Sequence, residues 1–239
     1  MLQFERQQAI IHILETRKNA SVRELAAELF TSEASIRRDI EVLEQQGLVK
    51  RVYGGVLLSR YQNEVVPLSL RDSDHSAVKE DIARRAAAMI RDGDTIIMDA
   101  SSTVRRIIKY VSHRRNLKII TNNLRIFSDY SGSNIQLYCT GGTYNASNHA
   151  FTGPAAENYL KNISADYLFF SSQCITDDGT ISDVSEEETA LRRVMISRAA
   201  KQYFLCDSSK LGGQKMFTLC NKNDITDVIC DVRLPWEEE

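Results

Sequence analysis

The sequence predicts two folds in one chain: a small N-terminal α+β winged helix-turn-helix over residues 1–58, and an α/β domain with a largely parallel sheet over residues 76–239, joined by a linker over 59–75. Three observations lead there. Apolar residues recur at helical spacing in three short segments with a tight second turn, then give way to a glycine-centred hairpin. Residues 59–78 mix charge and polarity around Pro67 with no clear period. From Lys79 onward, helical segments alternate with short apolar strands, the pattern of a parallel sheet covered by helices.

In the first segment, Ala9, Ile10, Ile13 and Leu14 give a helix from about Arg6 to Thr16 one buried face. A second helix is announced by Ser21 and Glu24, a capping box in which hydroxyl and carboxylate each satisfy a free backbone N–H; Val22, Leu25, Ala26 and Leu29 supply its stripe. Thr31 and Ser32 lead into a third helix that buries Ile36, Ile40 and Leu43 and stops at Gly47. The stretch LVKRVYGGVLL then reads as two strands meeting at Tyr53, Gly54 and Gly55, where a glycine pair allows the positive φ of a tight turn.

If the third helix buries that stripe, Glu33, Ala34, Ser35, Arg37 and Arg38 face outward, with Ser32 at its start. A recognition helix meets DNA in this way, and arginine there can bond guanine O6 and N7 together. Lys50 and Arg51 extend the positive face, while Tyr53 and the Gly54 backbone can approach a phosphate. The plainer reading has Arg37 paired with Glu41 one turn on, and the segment serving as a protein dock. Basic and acidic side chains balance over these residues, and the net charge of the chain, −2, gives DNA binding no support, so any case for it is local.

The larger domain runs helix (from Lys79), strand TIIMD, helix near Thr103, strand KIIT, helix near Arg125, strand IQLYCT, helix after Gly153, strand DYLFFSS, helix Glu186 to Ala200, strands QYFLCD and DVIC. Ligands bind beyond the carboxyl ends of such strands. There stand Asp99, Ser101, Ser102 and Thr103, then Asn122, then Gly141 and Gly142, then Lys210. Hydroxyls and free N–H groups at a helix start suit a phosphate, amides suit hydroxyls, a glycine pair admits close backbone approach, and lysine supplies charge. Each alone is an ordinary cap or turn residue.

The string SVRELAAELFTSEASIRRDIEVLEQQGLVKRVYGGV resembles the DNA-binding domain of the DeoR family of bacterial metabolic repressors, with Ser35 for the usual threonine and Ile40 for leucine. Over residues 76–231, the order DxxxT, TN, GG, DG, DxSK is similar to the family's sensor domain, which shares its fold with pentose-phosphate isomerases and coenzyme A transferases. The resemblance implies a repressor of a carbohydrate operon. It implies double-stranded operator DNA and a small phosphorylated sugar as partners, in a homo-oligomer, dimer or tetramer, whose operator affinity falls when the effector binds. It places the phosphate at Ser101, Ser102 and Thr103, with Asn122, Gly141, Gly142 and Lys210 around the remainder and Asp99 shaping the loop or meeting a sugar hydroxyl. The loop here reads DASST where the family commonly has DSGTT, and SSQCITDDG replaces a glycine-containing segment.

The competing expectation is an isomerase-like enzyme in which Asp99 or a carboxylate of Glu186, Glu187 or Glu188 moves a proton. The strand ends lack the glycine-rich phosphate loop and acidic pair of such enzymes, and the carboxylate run reads as a helix N-terminus. No enzyme activity, cofactor or metal is expected. The five cysteines are odd in number and unspaced for metal, and the four histidines have no helical partner. The N-terminal segment has no targeting pattern and no apolar run long enough to span a membrane, so the expected location is cytoplasmic.

Overall fold

The computed structural model describes residues 2–17, 19–45, 48–52, 55–58, 71–72, 75–130 and 135–237. They fall into two compact units, Met1–Asp74 and His75–Glu239. Gly47, Tyr53, Gly54 and most of the 59–75 linker lie outside the described residues.

The first unit contains α1 (Gln3–Arg17), β1 (Asn19–Ala20), α2 (Val22–Glu28), α3 (Glu33–Gln45), β2 (Val49–Val52) and β3 (Gly55–Leu58). The capping box forms as its residues dictate: Glu24 N donates to Ser21 Oγ and Ser21 N donates to a Glu24 carboxylate oxygen. Ile10, Leu14, Leu25, Ile36, Ile40 and Leu43 make one core with Val49, Val56 and Leu58. The expected hairpin forms, β2 pairing with β3 antiparallel from Val49↔Leu58 to Val52↔Gly55, and β1 adds a third strand to it through Asn19↔Leu57 and Ala20↔Val56. That pairing explains Gly55: a Cβ there would lie 2.5 Å from the Ala20 carbonyl oxygen. Close approach of β1, not a positive φ, requires this glycine. Phe30 begins the α2–α3 turn in the left-handed region (φ 48).

The second unit is a six-stranded parallel sheet in the order β14-β12-β9-β4-β5-β6, comprising β4 (Thr95–Met98), β5 (Lys118–Thr121), β6 (Gln136–Cys139), β9 (Ala165–Phe170), β12 (Ala199–Cys206) and β14 (Asp227–Cys230). Alternate residues feed two cores, as in any parallel sheet buried on both faces. Ile96, Met98, Phe169, Leu205 and Ile229 pack with α4 (Ser76–Ala87), α5 (Ser102–Arg105) and α6 (Ile108–Val111). Ile97, Leu168, Phe170 and Phe204 pack with α8 (Pro154–Leu160) and α9 (Glu186–Ser197). A further helix, α7 (Leu124–Asp129), follows β5. The chain runs outward from β4 to β6 and then returns to β9 on the other side of β4, so the β4/β9 boundary is the topological switch point.

Two expectations are corrected. α9 ends at Ser197, because Ala199 already pairs with Ala165 as strand β12. The helix expected near Thr103 is two single turns, α5 and α6. Two small antiparallel elements were not foreseen: hairpin β7 (Thr143–Asn145) with β8 (Ala150–Thr152), and a sheet of β10 (Cys174–Ile175), β11 (Thr180–Asp183) and β13 (Phe217–Asn221).

Candidate functional site

On α3, the buried stripe leaves Glu33, Ala34, Arg37 and Arg38 exposed and Ser35 half-buried. The helix start is fixed by Ser32, whose Oγ accepts from Ser35 N at 3.2 Å and lies 3.0 Å from Ser35 Oγ, so these two hydroxyls are engaged with each other. The helix is held at its middle by Asp39, 1% exposed at its side chain, which accepts from Arg6 of α1. A buried carboxylate paired in this way sets the rotation of the helix and so the direction of its arginines.

Arg37 does pair within the helix, but with Glu33 (3.0 Å) rather than with Glu41, and both side chains are well exposed, so the pair is weak and open to exchange. Arg51, its side chain about half exposed, also has partners within the first unit. Its guanidinium lies 3.3 Å from a Glu44 carboxylate oxygen and donates to the Arg37 carbonyl at 3.2 Å, tying β2 to α3. Arg38 and Lys50 are exposed and have no ion-pair partner among the described residues. Arg23, absent from the sequence-based set, is exposed and unpaired in the same sense, and lines a groove of about 830 Å³ with Arg37 and Arg51. Its signal was position: it stands two residues after the cap of α2, in the first turn.

In the second unit, the strand ends bring most of the expected residues together. Asp99, 1% exposed, sits at the switch point and bridges its two sides: one oxygen accepts from Ser101 N (3.1 Å), the other from Ser171 N (3.2 Å) and Arg192 Nε (2.9 Å). These three bonds make Asp99 a hub that shapes the loop, while Oδ1 accepts only one of them. Ser171 passes the connection on, because its Oγ accepts from Lys210 Nζ at 2.6 Å and donates to the Leu205 carbonyl. Lys210 ends a 3₁₀ turn that Asp231 steadies through Ser208 N and Oγ.

Ser101 Oγ caps α5 by accepting from Val104 N at 3.2 Å. Because α5 is a single turn, the helix dipole expected to attract a phosphate is small, and the anion-binding capacity rests on the free N–H groups of Ser102 and Thr103, the hydroxyls and Lys210. Four buried side-chain atoms just beyond strand ends have no hydrogen-bond partner: Thr103 Oγ1 after β4, Asn122 Oδ1 and Asn123 Nδ2 after β5, and Asp207 Oδ2 after β12. The Asn122 amide nitrogen holds the Phe151 carbonyl at 3.0 Å, which leaves that oxygen as an acceptor for a ligand donor. Buried polar atoms without partners are rare and call for a missing one.

The glycine pair divides. Gly141 (φ 64) has open space where a Cβ would stand. Gly142 (φ 114) does not: a Cβ would meet the Thr152 carbonyl at 2.5 Å and Ala156, so it is there for packing against β8 and α8.

Sequence reading missed Arg192. It is 6% exposed at its side chain and reaches Asp99, Asp183 (2.9 Å) and Glu188 (2.8 Å) at once. Burial alone would lower its pKa, but Glu188, Asp183 and Asp99 raise it well above the usual value. Glu188 is therefore part of a buried network, not only an acidic residue at a helix start. No group of His, Cys, Asp and Glu suited to a metal occurs among the described residues, and none of their helices is long and apolar enough to cross a membrane.

A winged helix-turn-helix with exposed arginines on its third helix, followed by an α/β unit whose polar groups gather at a switch point, defines a DNA-binding transcriptional regulator with a separate sensing domain. Residues 6–61 match the DeoR-like helix-turn-helix domain and residues 74–232 match the DeoR C terminal sensor domain. The chain belongs to the DeoR family of transcriptional regulators. It is 31% identical to the HTH-type transcriptional regulator GolR of Listeria innocua over 98% of this chain and 92% of that one. It is 27% identical to the lactose phosphotransferase system repressor of Staphylococcus aureus over 97% and 93%. Among solved structures, a subunit of the tetrameric eIF2B-beta2-delta2 complex from C. thermophilum shares the fold, with a TM-score of 0.50 and 14% identity over 85% of this chain and 64% of that one.

Proposed function

We propose that the chain is a cytoplasmic repressor of a carbohydrate operon that grips double-stranded operator DNA with α3 and the wing, and loosens its grip when a small phosphorylated sugar enters the crevice at the strand ends. The observation that carries the effector half is the group of buried polar atoms without partners at the strand ends, Thr103 Oγ1 and Asn122 Oδ1 among them. Free N–H groups, a hydroxyl and an ammonium group suit the phosphate, and the Asn122 oxygen suits a sugar hydroxyl. The repressor named for the lactose phosphotransferase system among the relatives agrees with a sugar-linked ligand. For the DNA half, Arg37, Arg38 and Lys50 meet bases and phosphates, with Ser32, Glu33, Ala34 and Ser35 forming the start of the reading helix. A dimer or tetramer supplies the two copies needed for paired half-sites.

The isomerase reading is disfavoured by Arg192. A general base must be free to take a proton, yet Asp99, Asp183 and Glu188 are buried and committed to one guanidinium. Glu186 and Glu187 occupy the first turn of α9.

A thermal-shift screen of the purified chain against sugar phosphates and the matching free sugars tests the effector site, because a ligand that binds only the folded state raises its apparent stability. A shift with one phosphorylated sugar that vanishes in Lys210→Ala and Ser102→Ala is expected. An undiminished shift in both variants places the anion elsewhere.

A further inference from the structure

The strand-end site and the chain that leads back to the first unit meet at one turn of helix. His75 is the first residue of the second unit and the N-cap of α4. It stands in the left-handed region (φ 43) without a side-chain cap bond. A non-glycine residue persists there only when its surroundings hold it.

Two arms reach this turn from opposite walls of the crevice. On the β4 side, Arg106 Nη1 donates to the Ser102 carbonyl at 2.7 Å, and Nη2 donates to Ser76 Oγ at 3.3 Å. Its Nε lies 3.3 Å from Glu80, one turn further along α4. On the β12 side, Asp207 precedes the turn that carries Lys210, and His75 Nδ1 lies 3.5 Å from its Oδ1. Lys79, buried on α4, acts on the same carboxylate. The backbone that would hold the anion at Ser102 and the turn that carries Lys210 are thus each one side chain away from residues 75–80.

We propose that the first turn of α4, through His75 and Ser76, couples occupancy of the crevice to the segment that joins the two units. An anion drawn between Ser102 and Lys210 pulls the two walls toward it, and Arg106 and Asp207 carry that displacement to the start of α4. The inference rests on the anion site proposed above. His75, Ser76 and Arg106 act as positioning residues, since none of them need touch the ligand.

The test is hydrogen exchange on the full chain, with inorganic phosphate, glucose 6-phosphate and fructose 1-phosphate as probes, in the wild type and in His75→Asn/Ser76→Ala. Asparagine tolerates left-handed backbone, so the pair spares the fold; the single variants replace it if the double variant does not fold. Slowed exchange at residues 99–106 and 207–212 together with changed exchange at 75–80 is expected in the wild type. In the variant the first two effects persist and the third is lost. With a fluorescent operator, the ratio of Kd with and without ligand, typically about 5 to 150 for coupled sites, falls toward one in the variant while ligand affinity is kept. Lys109→Ala, which removes an exposed contact to Glu80 and neither arm, leaves the ratio unchanged. Protection at both loops with residues 75–80 unaffected, or a variant with the full ratio, overturns the coupling and leaves the anion site standing. No protection at either loop with any probe overturns the anion site and the coupling with it.

Discussion

Arg37 and Arg38 are adjacent in sequence and differ in what they have to give up to reach DNA. Arg37 must leave an exposed pair with Glu33, whereas Arg38 has no ion-pair partner among the described residues. Each is expected to cost about 1–3 kcal/mol of operator affinity when changed to alanine if it reads a guanine, while Lys50→Ala lowers the salt slope with little change in sequence preference. Operator titrations at several salt concentrations separate the two effects. Arg192 makes the opposite kind of prediction, one about stability. Arg192→Met leaves Asp99, Asp183 and Glu188 buried without their common cation, and breaking a buried ion pair by removing one partner costs roughly 3–5 kcal/mol. Denaturant unfolding checks it, and a loss below about 1 kcal/mol, the scale of an exposed pair, would show that the network contributes nothing beyond a surface bridge.

At the scale of elements, what could be read in the sequence followed local rules. Ser21 and Glu24 define a cap by spacing alone, and Ile36, Ile40 and Leu43 define the buried face of α3 and hence its exposed arginines. The strand ends were legible because parallel strands buried on both faces read as apolar runs that stop abruptly at polar residues. What could not be read depends on distant partners. Arg192 looks like a surface residue of α9 until Asp99, 93 positions away, is brought beneath it. β1 is two residues long, and Gly55 looks like a turn residue until β1 lies against it.

The β12 turn carries a pH prediction of the same scale. Burial pushes the Asp207 carboxyl up, but Lys210, the Ser209 hydroxyl, Lys79 and His75 outweigh it and hold the pKa below the ordinary value. A carboxyl depressed on folding contributes stability that is complete above its unfolded pKa, about 3.9, and lost as pH falls through the folded value. Stability of the wild type should therefore fall more steeply below about pH 4 than that of Asp207→Asn. Parallel acid titrations of unfolding free energy compare them, and equal slopes would show that Asp207 gains nothing on folding.

For the whole molecule, net charge gave no indication of DNA: −2 over 239 residues describes neither unit's local surface. In the proposed mechanism two sites, one on each unit, are joined by a coupling free energy. The most direct measurement is a fluorescence-anisotropy titration of the full chain with an operator duplex selected from a random library, alone, with a saturating phosphorylated sugar, and with the same sugar unphosphorylated. Operator affinity is predicted to fall by about 5- to 150-fold with the phosphorylated form alone. Equal affinity in all three titrations, with a sugar phosphate shown separately to bind, would contradict it.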